Sequence, residues 1–274
     1  MDDFTNLEKD PIRIDDGIFW VGYSDNNSGL HCNPYLIVEG EEAVLIDGGS
    51  RDDFSNVMLK ILKAGINPIQ IKRLIYQHYD PDLCGSLPQL EELINHDKLK
   101  IISHSENNIF IHYYSAKTEK IDFRDLNCRY IFKSGRCLEF FATPYCHQPG
   151  SFITYDSKTK TLFSSDLFGS FDNSWTLNLE LNEYCRECTD FNNCKCSKEL
   201  CKIKGIKEFH QKVMTSNLAA EHTLKMIEKL DVNRIAPQHG SIIHRKEDVE
   251  TILRHLKTVK NVGIDFLLAE VQDE

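Results

Sequence analysis

A chain of 274 residues, 41% hydrophobic and 10% aromatic, can bury a substantial core, which argues against wholesale disorder. A formal net charge of −10 argues against nonspecific binding to nucleic acid, because polyanions are held by an excess of Lys and Arg. No apolar run approaches the roughly 20 residues that span a bilayer. The acidic start, Met1-Asp2-Asp3-Phe4, lacks the basic and apolar stretches of a signal peptide, so a cytoplasmic location is expected.

Residues 17–22 and 34–39 read as short strands, and 43–46 as a third that ends at Asp47-Gly48-Gly49. A helix follows over 52–63, with Phe54, Val57, Met58, Ile61 and Leu62 spaced for one buried face. Next come a buried strand over 71–77, a polar loop over 78–82 and a helix over about 83–94. The alternation continues with a strand at 99–103 and a helix at 106–114. Strands at 130–132 and 137–143 are joined by the turn 133–135, and a hairpin pairs 151–155 with 160–164 across 156–159. A long helix over about 206–230, a strand at 234–237 and a last helix at 247–257 complete the pattern. No repeat, low-complexity tract or linker interrupts it, so one domain over 1–274 is expected. A strand meander followed by repeated strand–helix alternation predicts sheets with helices on their outer faces.

Polar islands follow the strands. They are Gln77-His78-Tyr79-Asp80-Pro81-Asp82, Cys146-His147-Gln148-Pro149-Gly150, Ser165-Asp166-Leu167-Phe168-Gly169 and Pro237-Gln238-His239-Gly240. Strand ends are where α/β proteins place ligand sites. Three imidazoles and three carboxylates, from His78, Asp80, Asp82, His147, Asp166 and His239, are what two neighbouring divalent ions need. A loop His with two Asp is commonplace by itself; the recurrence after successive strands carries the inference.

The order and spacing of these islands, with Asp47-Gly48 upstream, resemble the metallo-β-lactamase superfamily. That resemblance implies an αββα sandwich of two mixed β-sheets flanked by helices. Hydrolases of the superfamily usually carry His-x-His-x-Asp-His. Here Asp80 stands for the second His and Leu83 for the last. A carboxylate at that second position is similar to the flavodiiron branch, as are residues 162–169 and 235–240. The resemblance implies a non-haem di-iron centre: His78, Asp80 and His147 on one iron, Asp82 and His239 on the other, Asp166 bridging. A harder, negatively charged donor favours iron over zinc. The implied function is binding of O₂ or NO, as a reductase fed by an external electron donor or as a sensor with a signalling partner, with the oxidoreductase reading ahead. A two-metal hydrolase is the alternative, and Asp80 and Leu83 count against it. Nothing resembles a flavin-phosphate loop, so no FMN is expected on this chain. The branch's dimers leave a homodimer open.

Five of the ten cysteines crowd into a Cys-rich insertion at about 183–204: Cys185, Cys188, Cys194, Cys196 and Cys201. Cys-x-x-Cys places two thiolates within reach of one ion, so zinc or an iron or iron–sulfur centre is one reading. Unconnected reduced thiols in an exposed loop are the other. His31, Tyr79 and Phe168 are candidates for lining a pocket, although aromatic residues at such positions commonly just pack. His96, His104, His112, His210, His222 and His255 lie in or beside helices and read as surface groups, and His244 falls outside the ligand set. Cys84 and Cys146 adjoin ligands and read as small packing residues.

Overall fold

The computed structural model describes residues 9–23, 32–115, 117–171, 175–189 and 201–272. His31, Cys194 and Cys196 lie outside the described residues. Two mixed β-sheets carry flanking helices, as expected from the strand–helix alternation. The first sheet has seven strands in the order of the sequence: β1 (Ile12–Asp15), β2 (Ile18–Trp20), β3 (Tyr35–Glu39), β4 (Glu42–Ile46), β5 (Ile71–Ile75), β6 (Lys100–Ser103) and β7 (Glu119–Asp122). The meander β1–β4 is antiparallel, and from β4 to β7 the strands run parallel. A tight turn joins β3 to β4, where Gly40 supplies the positive φ. Parallel neighbours need crossovers. These are α1 (Phe54–Lys63), then α2 (Pro81–Cys84) with α3 (Leu87–Ile94), then α4 (Ser105–Tyr114).

The second sheet has the order β12-β11-β10-β9-β8. Its strands are β8 (Arg129–Ile131), β9 (Cys137–Ala142), β10 (Phe152–Asp156), β11 (Thr161–Phe163) and β12 (Arg234–Ala236). The remaining helices are α5 (Glu183–Glu187), α6 (Lys202–Val213), α7 (Asn217–Ile227), α8 (Lys246–Leu256) and α9 (Ile264–Gln272). The chain forms two compact units, Met1–Phe141 with Thr154–Thr159, and Ala142–Ile153 with Lys160–Glu274.

In the first unit a core of Leu36, Leu45, Val57, Ile61, Leu74, Leu83, Leu87 and Ile101 lies among β3–β6 and their helices. The inner face of α1 differs from expectation. Lys60 is fully buried and Leu62 is 52% exposed. Lys60 follows Val57 by three positions and so shares its face. Its ammonium lies over the Trp20 ring, 4.0 Å from the centroid, and donates to the Gly22 carbonyl at 2.5 Å.

In the second unit the helix expected over 206–230 is two. α6 ends at Val213, and α7 begins after Ser216, whose hydroxyl accepts from the Ala219 amide at 3.3 Å. Ser216 is fully extended at φ −162, ψ 159, and Ser at such a position offers the backbone an alternative to the helix ladder. Strands β1 and β7 and helix α9 also go beyond the sequence reading. No helix among the described residues is long and apolar enough to cross a membrane.

Candidate metal centre

In the first unit the chain leaves β5 buried and turns at residues 76–80. The turn is pinned from below. Asp47, in the left-handed region at φ 53, accepts from the Gln77 amide and from Gln77 Nε2, each at 3.2 Å. The Asp47 amide donates to the Ile75 carbonyl at 2.9 Å, so one residue ties the ends of β4 and β5 together. His78 is buried directly after this clamp. Asp80 then takes the N-cap position of α2, extended at φ −67, ψ 155, and Pro81 fills the first helical position. Its side chain makes no capping bond. Asp82 sits in the first turn.

As a result His78, Asp80 and Asp82 each present a ligand atom within 4.8 Å of the other two. His78 Nε2 and Asp80 Oδ2 are 3.7 Å apart. The two carboxylates are half-exposed while the imidazole is buried. Leu83 and Cys84 face inward, and burial pushes the Cys84 thiol well above its ordinary range, as befits a packing residue. Tyr79 stacks on Phe110 of α4, with centroids 4.3 Å apart. Cys32, which sequence reasoning passed over, brings its Sγ to 3.8 Å from Asp82 Oδ2.

In the second unit β11 and β12 are parallel, with Phe163 opposite Ala236. Their ladder runs on beyond the strands: Ser164 N–H donates to the Ala236 carbonyl at 3.2 Å, and Gln238 N–H to the Ser165 carbonyl at 2.8 Å. The next residues are Asp166 and His239, each three beyond its paired strand residue, so the register sets them side by side. Gly240, at φ 81, turns the chain away, and its carbonyl accepts from Trp175 Nε1 at 3.0 Å. His147 comes from the loop after β9. That loop is closed by Tyr145 N–H on the Gln148 carbonyl, at 2.8 Å, and by Gln148 N–H on Ser151 Oγ, at 2.9 Å.

Asp166 is shared between the two imidazoles. Its Oδ2 lies 2.8 Å from His147 Nε2, and its Oδ1 lies 3.6 Å from His239 Nε2. Two oxygens of one buried carboxylate pointing at two different ring nitrogens are the arrangement a bridging ligand requires. The donor chemistry therefore fits divalent ions: oxygen and nitrogen atoms, buried or partly buried and gathered close together.

Two histidines read as surface groups are buried. His210, 1% exposed on α6, accepts the Phe168 amide at Nε2, 3.0 Å away, and burial alone lowers its pKa to about 3. His255, 3% exposed on α8, is hydrogen-bonded to the Cys185 backbone. Both occupy inward positions of amphipathic helices, where the helix face outweighs residue type. The Phe168 ring is buried beside His210, with centroids 6.0 Å apart. His112 and His222 are exposed and His96 and His104 half-buried, while His244 Nε2 lies 3.7 Å from Glu180 Oε1. In the Cys-rich segment, Cys185 and Cys201 are buried with their sulfurs 3.8 Å apart, and Cys188 follows as the C-cap of α5.

A family model described as ODP family beta lactamase matches residues 30–240. The solved apo structure of the chemotaxis sensor ODP from T. denticola matches with a TM-score of 0.73 and 25% identity, over 95% of this chain and 97% of that one. A putative diflavin flavoprotein A 1 from Nostoc sp. is 29% identical over 79% of this chain and 34% of its own length. A nitric oxide reductase from Moorella thermoacetica is 27% identical over 92% of this chain and 62% of its own. The chain thus spans between about a third and three fifths of these two curated relatives.

Proposed function

The chain belongs to the ODP beta lactamase family, and from that premise we propose that it is a non-haem di-iron protein that binds O₂ or NO. The observation that carries this reading is the cluster of His78 with Asp80 and Asp82, together with Asp166 held between His147 and His239. We assign His78, Asp80 and His147 to one iron, Asp82 and His239 to the other, and Asp166 to both. Two bound irons would supply gas binding and the electrons for its reduction. The protein's own part is to hold and charge the site. Three carboxylates against three neutral imidazoles favour iron over zinc, and the Asp47 clamp and the β11–β12 register keep the donors in place before any ion arrives.

The relatives named as a chemotaxis sensor and a nitric oxide reductase support the two uses of such a centre. In one, gas binding is reported to a signalling partner. In the other, the gas is reduced with electrons from a separate donor. A cytoplasmic setting suits both.

The test is metal analysis with an optical spectrum of the reduced protein before and after O₂. About two irons per chain and a new absorption band on oxygenation are expected on the ligand count proposed here. In Asp80→His, occupancy should move toward zinc and the band should vanish. Two zinc ions with ester or phosphodiester turnover would overturn the proposal.

We further propose a metal at the Cys-rich segment, either zinc or an iron–sulfur centre, held by ligands among Cys185, Cys188, Cys194, Cys196 and Cys201. The 3.8 Å between the sulfurs of Cys185 and Cys201 supports it. Two thiolates about 2.3 Å from one tetrahedral ion stand about 3.8 Å apart.

A further inference from the structure

Resting on the di-iron reading above, we propose that Cys32 supplies a thiolate ligand to the metal ion that Asp82 holds. Under that reading the ion held by Asp82 and His239 has one protein donor fewer than the ion held by His78, Asp80 and His147. The neighbouring side chain on α2, Leu83, is buried in the core and offers no donor. Among the described residues Cys32 brings a donor to this place, its Sγ 3.8 Å from Asp82 Oδ2. A sulfur and an oxygen on one tetrahedral ion, at about 2.3 Å and about 2.1 Å from it, stand about 3.6 Å apart. The observed separation is close to that of two donors sharing an ion.

The position of this thiol is built. Cys32 pairs with Tyr23 in an antiparallel bridge, and Val21 N–H donates to the Pro34 carbonyl at 3.0 Å. Between them Asn33 is buried and accepts from Trp20 Nε1 at 2.8 Å. The opposing strand passes so near that a Cβ on Gly22 would stand 2.6 Å from the Cys32 carbonyl oxygen. These contacts fix the backbone of Cys32 on the side of Tyr23 and Asn33, and its sulfur lies toward Asp82. On ligation the S–H bond breaks, a sulfur–metal bond forms and the proton leaves to solvent, with no change of oxidation state. A soft thiolate among hard carboxylates would give the two ions different environments.

The test uses the full chain, stripped of metal and reloaded with Co²⁺. Iodoacetamide labelling of Cys32, followed by peptide mass mapping with Cys137 as internal reference, should slow about tenfold on loading, because a metal-held sulfur is no longer a free nucleophile. The Co²⁺ protein should also show a near-ultraviolet sulfur-to-cobalt band that is weaker in Cys32→Ser. Equal labelling rates, or identical spectra, in a chain that binds both cobalt ions would overturn the assignment and leave the two-metal reading standing. Failure of Asp166→Asn to lower the bound cobalt would instead sink the two-metal reading, and this proposal with it. Should Cys32→Ser fail to fold, the labelling of the wild-type chain decides alone.

Discussion

His210 accepts the Phe168 amide two residues beyond Asp166, and that bond requires a neutral imidazole with its lone pair on Nε2. Its pKa is near 3 in the folded protein and 6.5 in the free side chain, with burial as the cause. The unfolded chain therefore takes up a proton below about pH 6.5 that the native state refuses until about pH 3. The stabilisation is complete above 6.5 and is lost as pH falls, by roughly a factor of ten in the folding constant per pH unit. Urea titrations across this window should show that acid limb, and His210→Gln, which keeps an acceptor for the amide, should flatten it. An unchanged pH slope in the variant would remove His210 as the cause. The sequence held a clue to this residue: Ile203, Ile206 and His210 lie on one helical stripe. Cys32 held none, because nothing local links positions 32 and 82, whereas the ligands themselves stand out as polar residues directly after apolar strands.

Between strands and helices, the parallel register of β11 and β12 does most to form the second triad. The two strands were readable, as short apolar runs that end in a polar island, but their pairing was not, because about seventy residues separate them. The split between α6 and α7 was not, because the apolar spacing continues across Thr215-Ser216 and only the Ser216 cap marks the break. Strands β1 and β7 escaped for a related reason: Arg13, Asp15, Glu119 and Lys120 give them a polar, edge-like composition. The loop carrying Asp166 meets α6 at Gly169, where an added Cβ would stand 2.5 Å from Phe209 Cε1 and 2.9 Å from the Asp166 carbonyl oxygen. The Phe209 ring also lies against His239, with centroids 5.8 Å apart. Gly169→Ala must then displace either that ring or the ligand loop. We expect a loss of about 1–3 kcal/mol in stability, together with weaker metal retention in a chelator competition. Unaltered retention would show that the loop and the ring absorb the methyl group without moving the ligands.

Across the whole molecule, the chain leaves the first unit at Phe141 and returns to it for Thr154–Thr159 alone. Its charges explain the return. Arg136 is buried and grips Asp156 with two bonds, Nε to Oδ1 at 3.1 Å and Nη2 to Oδ2 at 2.7 Å, while Nη1 reaches Glu39 at 3.1 Å. Asp156 also accepts from Thr159 Oγ1 at 2.6 Å, and Lys158 reaches Glu39 Oε2 at 3.1 Å. Positions 39, 136 and 156 form one network inside the first unit. In the sequence they are scattered ionic residues at strand ends, and position 156 reads only as the start of a turn. A bidentate guanidinium removed from such a place leaves a buried carboxylate uncompensated, which costs about 3–5 kcal/mol. Arg136→Met should therefore lower the thermal midpoint by several degrees, at roughly 2–4 °C per kcal/mol for a chain of this size. The double replacement Arg136→Met with Asp156→Leu should recover much of the loss, because it removes the stranded charge. Metal content should stay as in the wild type in both, since none of these three residues is a proposed ligand. A double variant no more stable than the single one would mean that Arg136 holds the returning segment through its shape and not its charge.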